Sequence, residues 1–273
     1  MPNPAKTPIA LTIAGSDSGG GAGIQADLKA FSALGVYGAS VITALTAQNT
    51  REVRAIHRIP VPFIVDQLVT VFDDLRVDVV KTGMLGDADV VLAVANFLRQ
   101  YPQTKLVVDP VMLSKSGDAL LKAEAVDALV DQLIPLASII TPNLPEAAVI
   151  LGCDEPKNLV EMEQMARDLK ALGPKAVLLK GGHLEDENQS PDIYFDGEQC
   201  ITLNTKRINT QNTHGTGCTL ASAIAAMLAK GELPHQAVEQ AKHYISNAIA
   251  AADTLEVGSG HGPVHHFHAL WPK

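Results

Sequence analysis

The chain has little of the material that builds disulfide frameworks, nucleic-acid interfaces or membrane spans. Its three cysteines, Cys153, Cys200 and Cys218, are far apart and odd in number, without zinc-type spacing, which indicates free thiols in a reducing compartment. The formal net charge is −9 and no basic stripe is visible, so a nucleic-acid backbone is not an expected partner. No window approaches the roughly 18 apolar residues that span a bilayer. The short apolar stretch near the N-terminus predicts a first strand rather than a signal segment. We therefore expect a cytoplasmic protein without a membrane or nucleic-acid partner.

Low-complexity tracts and linkers rich in glycine, serine or proline are absent as well. Of the 273 residues, 47% are hydrophobic, which is enough for a substantial core. A chain of this length fits one large α/β unit. We therefore predict a single domain over residues 1–273.

Short β-branched runs alternate with helical patterns almost from end to end. Repeated βα units predict an α/β fold with a mostly parallel central sheet and helices on both faces. Residues 192–195 and 199–203, around Asp196-Gly197-Glu198, predict a small antiparallel hairpin. Ligands of such sheets bind beyond the carboxyl ends of the strands. The predicted parallel strands are 9–14, 39–45, 77–81, 105–108, 138–140 and 176–179, and the predicted helices are 24–34, 63–73, 88–99, 123–133, 144–151, 159–172, 219–229 and 234–252.

The most informative segment is Asn-Thr-His-Gly-Thr-Gly-Cys at residues 212–218, which runs directly into an apolar helix. A helix start presents unpaired backbone N–H groups and the positive end of the macrodipole, so it suits an anion. Gly215 and Gly217 allow the backbone around Thr216 to curl about phosphate oxygens. Cys218 falls in the first turn, where we expect the thiol pKa to be lowered. The alternative is an ordinary helix entry with a buried structural cysteine.

A second glycine-rich loop, residues 14–23, follows the first predicted strand. Residues 21–26 match the relaxed G-x-G-x-x-A dinucleotide pattern, but no acidic residue for a ribose lies within residues 38–51, so an NAD-linked oxidoreductase ranks last. No G-x-x-x-x-G-K-[ST] phosphate loop occurs either. We expect this loop to let a flat ligand approach the backbone. Asp17 and Asp27 either contact that ligand or act as local caps.

Four polar residues follow other predicted strands. Gln48 offers a donor and an acceptor side by side, complementary to an aminopyrimidine edge, although a solvated or structural role is the alternative. Asp109 and Glu146 are a plausible carboxylate pair for Mg²⁺, or else helix caps. Lys180 meets a nucleotide phosphate or forms a surface salt bridge. The histidine-rich residues 261–268 lack helical metal-ligand spacing, and we expect an ordinary ordered tail.

Taken together, these segments strongly resemble the bacterial hydroxymethylpyrimidine/phosphomethylpyrimidine kinases of thiamine biosynthesis, in the ribokinase-like superfamily. The matching blocks are residues 13–29, 41–50, 81–85, 111–117, 141–146, 180–183 and 262–268. The resemblance implies a three-layer α/β/α fold, a homodimer, and ATP-dependent phosphorylation of 4-amino-5-hydroxymethyl-2-methylpyrimidine, first to the monophosphate and then to the diphosphate. A kinase acting mainly on pyridoxal or pyridoxine is the nearest alternative, and a non-catalytic vitamin-binding domain is a further one.

The resemblance also implies roles for particular residues. It assigns the first glycine loop to the pyrimidine, and it places Cys218 where sugar kinases of the superfamily carry an aspartate base. The contribution of Cys218 as a base stays open. The implied roles are Gln48 for the pyrimidine edge, Ala22, Asp27, Met84 and Val111 for the pocket, Gly215, Thr216, Gly217 and Cys218 for the anion hole, Asp109 and Glu146 for Mg²⁺, and Lys180 and Asn143 for ATP.

Overall fold

The computed structural model of the protein describes residues 6–112, 123–182, 184 and 189–271. His183 and residues 113–117, which belong to two of the family-like blocks, lie outside this part of the chain. The strands are β1 (Ile9–Asp17), β2 (Tyr37–Gln48), β3 (Val53–Arg58), β4 (Val79–Thr82), β5 (Lys105–Val108), β6 (Ile139–Ile140), β7 (Val177–Lys180), β8 (Asp192–Phe195) and β9 (Cys200–Leu203). The helices are α1 (Gly23–Ala33), α2 (Val61–Asp74), α3 (Ala88–Leu98), α4 (Ala123–Ala128), α5 (Leu144–Leu151), α6 (Leu159–Ala171), α7 (Thr216–Ala229) and α8 (Pro234–Ala250).

The strands form one sheet in the order β3-β2-β1-β4-β5-β6-β7-β8-β9. The stretch from β2 to β7 is parallel, whereas β3 is antiparallel to β2 and the β8–β9 hairpin is antiparallel to β7. The predicted α/β class, with its mostly parallel sheet and small antiparallel part, is confirmed. The structure adds that the hairpin continues the main sheet and that β3, which we did not predict, extends the opposite edge.

Helices cover both faces of the sheet because neighbouring strand residues point to opposite sides. Val79, Val107 and Ile139 pack with α1, α7 and α8. Their successors in the chain, such as Val80 and Val108, pack with α2, α3, α5 and α6. Continuous apolar strands therefore bury both faces and produce the three layers. No helix within the described residues is long and apolar enough to cross a membrane.

The centre of the sheet contains a topological switch point. The chain leaves β1 toward β2 on one side, and β4 pairs with β1 on the other side. In sheets of this kind, ligands bind outside the carboxyl ends of the strands at such a point. The same edge carries Asp17, Gln48, Thr82, Asp109 and Lys180, each at or just after the end of its strand.

Most element boundaries lie within a few residues of those predicted, and the differences matter at two places. Helix α7 begins at Thr216, three residues early, because Gly215 caps it in the left-handed conformation with φ 79°. Strand β2 extends to Gln48, so this residue ends a strand instead of lying in a loop. The predicted helix 123–133 is α4 followed by a π-helical turn, Leu129–Leu133.

Candidate active site

The segment from Thr213 to Cys218 forms a tight entry into α7. The first bond of the helix runs from the Thr219 N–H to the Gly215 carbonyl at 2.9 Å. The amides of Gly217 and Cys218 therefore precede the intrahelical ladder, at the positive end of the helix. The Thr216 N–H turns back toward the Thr213 carbonyl at 3.3 Å. The Gly217 and Cys218 amides therefore stand where a helix start binds phosphate.

The two glycine loops interlock at the carboxyl edge of the sheet. A Cβ placed on Gly215 would lie 1.9 Å from the Gly21 carbonyl oxygen, and one placed on Gly21 would lie 2.4 Å from Cδ2 of His214. Only a backbone without side chains permits this approach. The loop before α1 and the loop before α7 thus form a single surface.

Asp109 and Lys180 stand beside the start of α7. The Lys180 ammonium lies 3.2 Å from Asp109 Oδ1, and a Cβ placed on Gly217 would lie 3.4 Å from the same ammonium. Burial would lower the pKa of Lys180, but the neighbouring carboxylates of Asp109 and Glu146 outweigh it and raise the pKa. The second oxygen of Asp109, Oδ2, is buried without a hydrogen-bond partner among the described residues. A fixed positive charge and an uncommitted acceptor therefore face the helix start.

Glu146 is held by the helix cap that the sequence left as an alternative. Its carboxylate accepts the Asn143 N–H, and its own N–H donates to Asn143 Oδ1, both at 2.8 Å, as a reciprocal capping box. Its Oε2 lies 3.9 Å from the Lys180 ammonium. Burial raises the pKa of Glu146 to about 7, with Asp109 adding to the effect and Lys180 opposing it. The metal role of Glu146 and the nucleotide role of Asn143 stay predictions, since both side chains serve the cap.

The expected lowering of the Cys218 pKa is wrong. Burial raises the pKa of this thiol to about 11; the Lys81 ammonium and a hydrogen bond from the Gly23 backbone lower it, but less than burial, Asp27 and Asp109 together raise it. The helix N-terminus does not prevail because the thiol is removed from water, which penalises the thiolate. Cys218 is therefore a neutral thiol near neutral pH.

A fully buried ion pair lies beneath this region, and the sequence did not reveal it. The Lys81 ammonium contacts both oxygens of Asp27 at 3.0 Å. The same carboxylate accepts the hydroxyls of Thr12 and Ser222, each at 2.6 Å. None of the surface of Asp27 is exposed, so its predicted contact with a substrate is not favoured by this geometry. Its partners are up to 195 residues away in the chain, and no local pattern could have found them.

Gln48 lies next to a buried pair formed by His214 and Asp17. His214 Nε2 is 2.8 Å from Asp17 Oδ2 and 3.4 Å from the Gln48 amide nitrogen. Asp17 also accepts the N–H groups of Gly19 at 2.8 Å and Ala22 at 2.8 Å. Asp17 therefore acts as the local cap that we weighed, and it shapes the glycine loop. Sequence reasoning did not single out the side chain of His214, although this residue lies within residues 212–218, called the anion loop below.

The remaining pocket residues lie around the switch point. The side chain of Met84 covers Gly15, because a Cβ placed there would lie 2.3 Å from Met84 Cε. Ala22 occupies the N-cap of α1. Val111 follows Asp109, whose carbonyl accepts its N–H at 2.9 Å. The structure thus brings all three to the carboxyl edge.

The C-terminal segment does more than an ordinary tail. The His214 N–H donates to the Gly262 carbonyl at 3.0 Å, and the His261 N–H donates to the Thr50 carbonyl at 2.8 Å. His266 is buried against Thr219, with its Nε2 3.0 Å from the hydroxyl. The segment therefore braces the anion loop against the end of β2.

A switch-point crevice, an amide-rich helix start and a lysine–carboxylate cluster define a small-molecule kinase of the ribokinase-like class. The family model for phosphomethylpyrimidine kinase matches residues 17–265, and the chain belongs to that family. It is 56% identical over 264 residues to the hydroxymethylpyrimidine/phosphomethylpyrimidine kinase of Escherichia coli K12, covering 96% of this chain and 98% of that protein.

Two solved structures similar to this chain are both kinases, one of a pyrimidine and the other of pyridoxal. The phosphomethylpyrimidine kinase of Clostridium difficile has a TM-score of 0.79 and 47% identity, covering 89% of this chain and 100% of that one. An ADP complex of Bacillus subtilis pyridoxal kinase has a higher TM-score, 0.89, but 39% identity, covering 97% and 99%. The TM-score reports the common fold, whereas the identity bears on specificity, and identity favours the pyrimidine kinases.

Proposed function

We propose that the protein transfers a phosphoryl group from ATP to the hydroxymethyl oxygen of 4-amino-5-hydroxymethyl-2-methylpyrimidine, and then a second one to the monophosphate. One observation carries the proposal. Gly217 lies beside Lys180 and Asp109, and the same loop touches Gln48 through His214. A phosphate site and an amide that can read a pyrimidine edge are therefore parts of one surface.

On the pyrimidine side, Gln48 pairs with the amino group and the ring nitrogen of the substrate. Ala22, Met84 and Val111 line the pocket, and the first glycine loop lets the flat ring lie against the backbone. Asp27 contributes from below by holding Lys81 and α7 in place.

On the phosphate side, the amides of Gly215, Gly217 and Cys218 and the Lys180 ammonium stabilise the charge on the transferred group, while Thr216 closes the turn through the bond from its N–H to the Thr213 carbonyl. Phosphoryl transfer asks mainly for positioning and charge stabilisation. Lys180 is suited to this because its raised pKa keeps it charged. Asn143 holds the nearby turn through its cap and completes the ATP side.

The residues at this edge fit a magnesium ion. Mg²⁺ takes one or two protein carboxylates and fills its other positions with water and phosphate oxygens. Asp109 offers a buried oxygen without a partner, and Glu146 is the nearest second carboxylate to Lys180. No group of three or more candidate ligands occurs in the described parts of the chain, and water and phosphate oxygens would supply the other ligands. Bound there, the ion adds positive charge beside the phosphates.

Cys218 acts as a positioned neutral thiol in this proposal. With a pKa of about 11, only roughly one thiol in 10⁴ is ionised at pH 7. Its sulfur instead accepts a hydrogen bond from the backbone of Gly23, which ties the start of α7 to the start of α1. Cys218→Ser should then retain most of the rate in both phosphorylation steps. A pH-rate profile that loses a break near neutral pH in this variant would restore the general-base role.

A pyridoxal kinase activity is the second candidate, and the likeness to the Bacillus subtilis pyridoxal kinase favours it. A ring bearing a hydroxymethyl group fits the same surface. The ratio of kcat/KM on the pyrimidine to that on pyridoxal decides between the two main activities. A higher value on pyridoxal would displace the leading proposal.

The whole chain acts as one kinase domain in this proposal, as a homodimer in the cytoplasm. Exposed apolar side chains on strands β2 and β3, Tyr37, Leu45 and Ile56, support a contact between subunits. Light scattering on purified protein measures the assembly, and a monomer at micromolar concentration would contradict it.

The test of the function is a mass-spectrometric product assay with ATP, Mg²⁺ and the hydroxymethylpyrimidine. We expect the monophosphate to rise first and the diphosphate to follow. Failure to consume ATP with either a pyrimidine or a pyridoxine alcohol would instead favour a non-catalytic vitamin-binding protein.

A further inference from the structure

The side-chain amide of Gln48 is clamped between two groups that decide which way round it points. One amide atom lies 3.1 Å from the Thr46 hydroxyl, and the other lies 3.4 Å from His214 Nε2. The oxygen and nitrogen of an amide have nearly the same shape, so their partners decide which is which.

The proton on His214 is fixed by Asp17. Burial would raise the pKa of Asp17, but hydrogen bonds from His214 and from the amides of Gly19 and Ala22 lower it. An ionised carboxylate only accepts hydrogen bonds. At 2.8 Å from Asp17 Oδ2, His214 Nε2 must therefore carry a hydrogen. If the amide nitrogen of Gln48 were on that side, two hydrogen-bond donors would face each other.

The hydroxyl proton of Thr46 is committed as well. Thr46 Oγ1 donates it to the Ser16 carbonyl oxygen, 2.8 Å away. This contact is shorter than the one of 3.1 Å between Thr46 Oγ1 and Gln48. A hydroxyl has a single proton to donate. Toward Gln48, Thr46 therefore offers a lone pair, which calls for a donor.

We infer that Gln48 works with its amide nitrogen on Thr46 and its oxygen on His214, because only this orientation matches a donor with an acceptor at both contacts. Hydrogen bonds then run from Gln48 to Thr46 to Ser16. The single Nε2 hydrogen of His214 is shared in a three-centre bond, strongly with Asp17 at 2.8 Å and weakly with Gln48 at 3.4 Å. One amide N–H and one oxygen lone pair remain, in a fixed order, for a ligand. Thr46 and His214 are positioning residues that act through Gln48.

The fixed order sets the specificity of the pocket, which rests on the proposed function. The substrate presents an amino donor beside a ring-nitrogen acceptor, and the amide oxygen and the remaining N–H match them. The 4-oxo analogue, 5-hydroxymethyl-2-methylpyrimidin-4(3H)-one, presents the reverse order. An amide that can turn accepts both compounds, whereas a clamped amide accepts one.

The experiment measures kcat/KM on both compounds for the wild type, Thr46→Val and Thr46→Ser. We expect the wild type to prefer the amino compound by about 100-fold or more, because the analogue leaves polar groups unpaired. Thr46→Val keeps the branched shape but frees the amide, so kcat/KM on the analogue should rise about tenfold. The KM for ATP should stay unchanged. Thr46→Ser keeps the hydroxyl and should keep the wild-type ratio.

A gain on the analogue cannot come from a damaged fold, and Thr46→Ala repeats the hydroxyl removal in case Thr46→Val folds poorly. Equal discrimination in the wild type and in both hydroxyl-free variants would overturn the clamp while leaving the proposed function standing. A wild type that turns over the two pyrimidines equally well would also overturn it. A wild type that phosphorylates neither compound would overturn the proposed function and, with it, this inference.

Discussion

Replacement of Gly217 by alanine separates phosphate binding from folding. Gly217 lies in the first turn of α7, where alanine is the better residue for a helix. The added Cβ would make only ordinary contacts, 3.4 Å from Lys180 Nζ and 3.8 Å from Asp109 Oδ2. We therefore expect Gly217→Ala to fold as well as the wild type or better, while its methyl group occupies the place where a phosphate meets the amides.

The expected magnitudes have opposite signs. Alanine in a helix is favoured over glycine by about 0.5–1 kcal/mol, which raises Tm by roughly 1–3 °C in a chain of this size. Blocking the approach of a reacting anion to a well-placed donor should cost about as much as losing that donor, which lowers kcat by about 10²–10³. Thermal unfolding and the product assay on the same preparation measure both quantities.

Gly215→Ala is the matched control, since it lies two residues earlier in the same motif. Its φ of 79° disfavours alanine, and its Cβ would meet the Gly21 carbonyl at 1.9 Å. This variant should lose stability and activity together. If Gly217→Ala instead keeps turnover within about threefold of wild type, the amides of this turn do not hold the transferred phosphoryl group, and our reasoning fails.

Three further predictions concern single side chains. Gln48→Ala should raise the KM for the pyrimidine by about 10–100-fold and leave the KM for ATP nearly unchanged. Gln100→Ala, at an exposed glutamine, is the control. Equal losses for both ligands would contradict the assignment of Gln48 to the pyrimidine. Lys81→Met should lower the free energy of unfolding, measured in urea, by about 3–5 kcal/mol because Asp27 is left buried without its ion-pair partner. Adding Asp27→Asn should restore part of this free energy. If it restores none, the broken ion pair is not the cause of the lost stability. Because the pKa of Glu146 is raised to about 7, the native chain retains a proton there that the unfolded chain releases, so the stability from this group is present at low pH and is lost as pH rises through about 7. Glu146→Gln, which can still form the capping box, should gain stability relative to wild type between about pH 5 and pH 8 in urea, and a constant difference across that range would refute the shift.

Capping residues and hydrophobic patterns predicted the elements whose ends are set by neighbouring residues in the chain. Helix α5 begins and ends as predicted because Asn143 and Glu146 cap its start and Gly152 ends it in the left-handed conformation. Strand β3 was missed because its side chains are mostly exposed, so its sequence carries no buried alternation. Its pairing with β2 is a tertiary contact.

The site shows the same division. The anion-loop glycines and Gln48 were recognisable from motif and strand position. The pair of Lys81 and Asp27 was not, because residues 54 positions apart meet only in the folded chain. The lowered thiol pKa expected for Cys218 failed for a related reason: a helix start predicts it, but burial, which sequence does not report, decides it.

The brace formed by the C-terminal segment makes the site depend on residues far along the chain. The loop before α7 is tied to Gly262 and Val264, which follow strands β1 to β9 and helix α8. A fragment cut before Gly262 would keep most of the buried core residues but would lack these bonds to the loop. Such a fragment should therefore form much of the sheet and have no kinase activity.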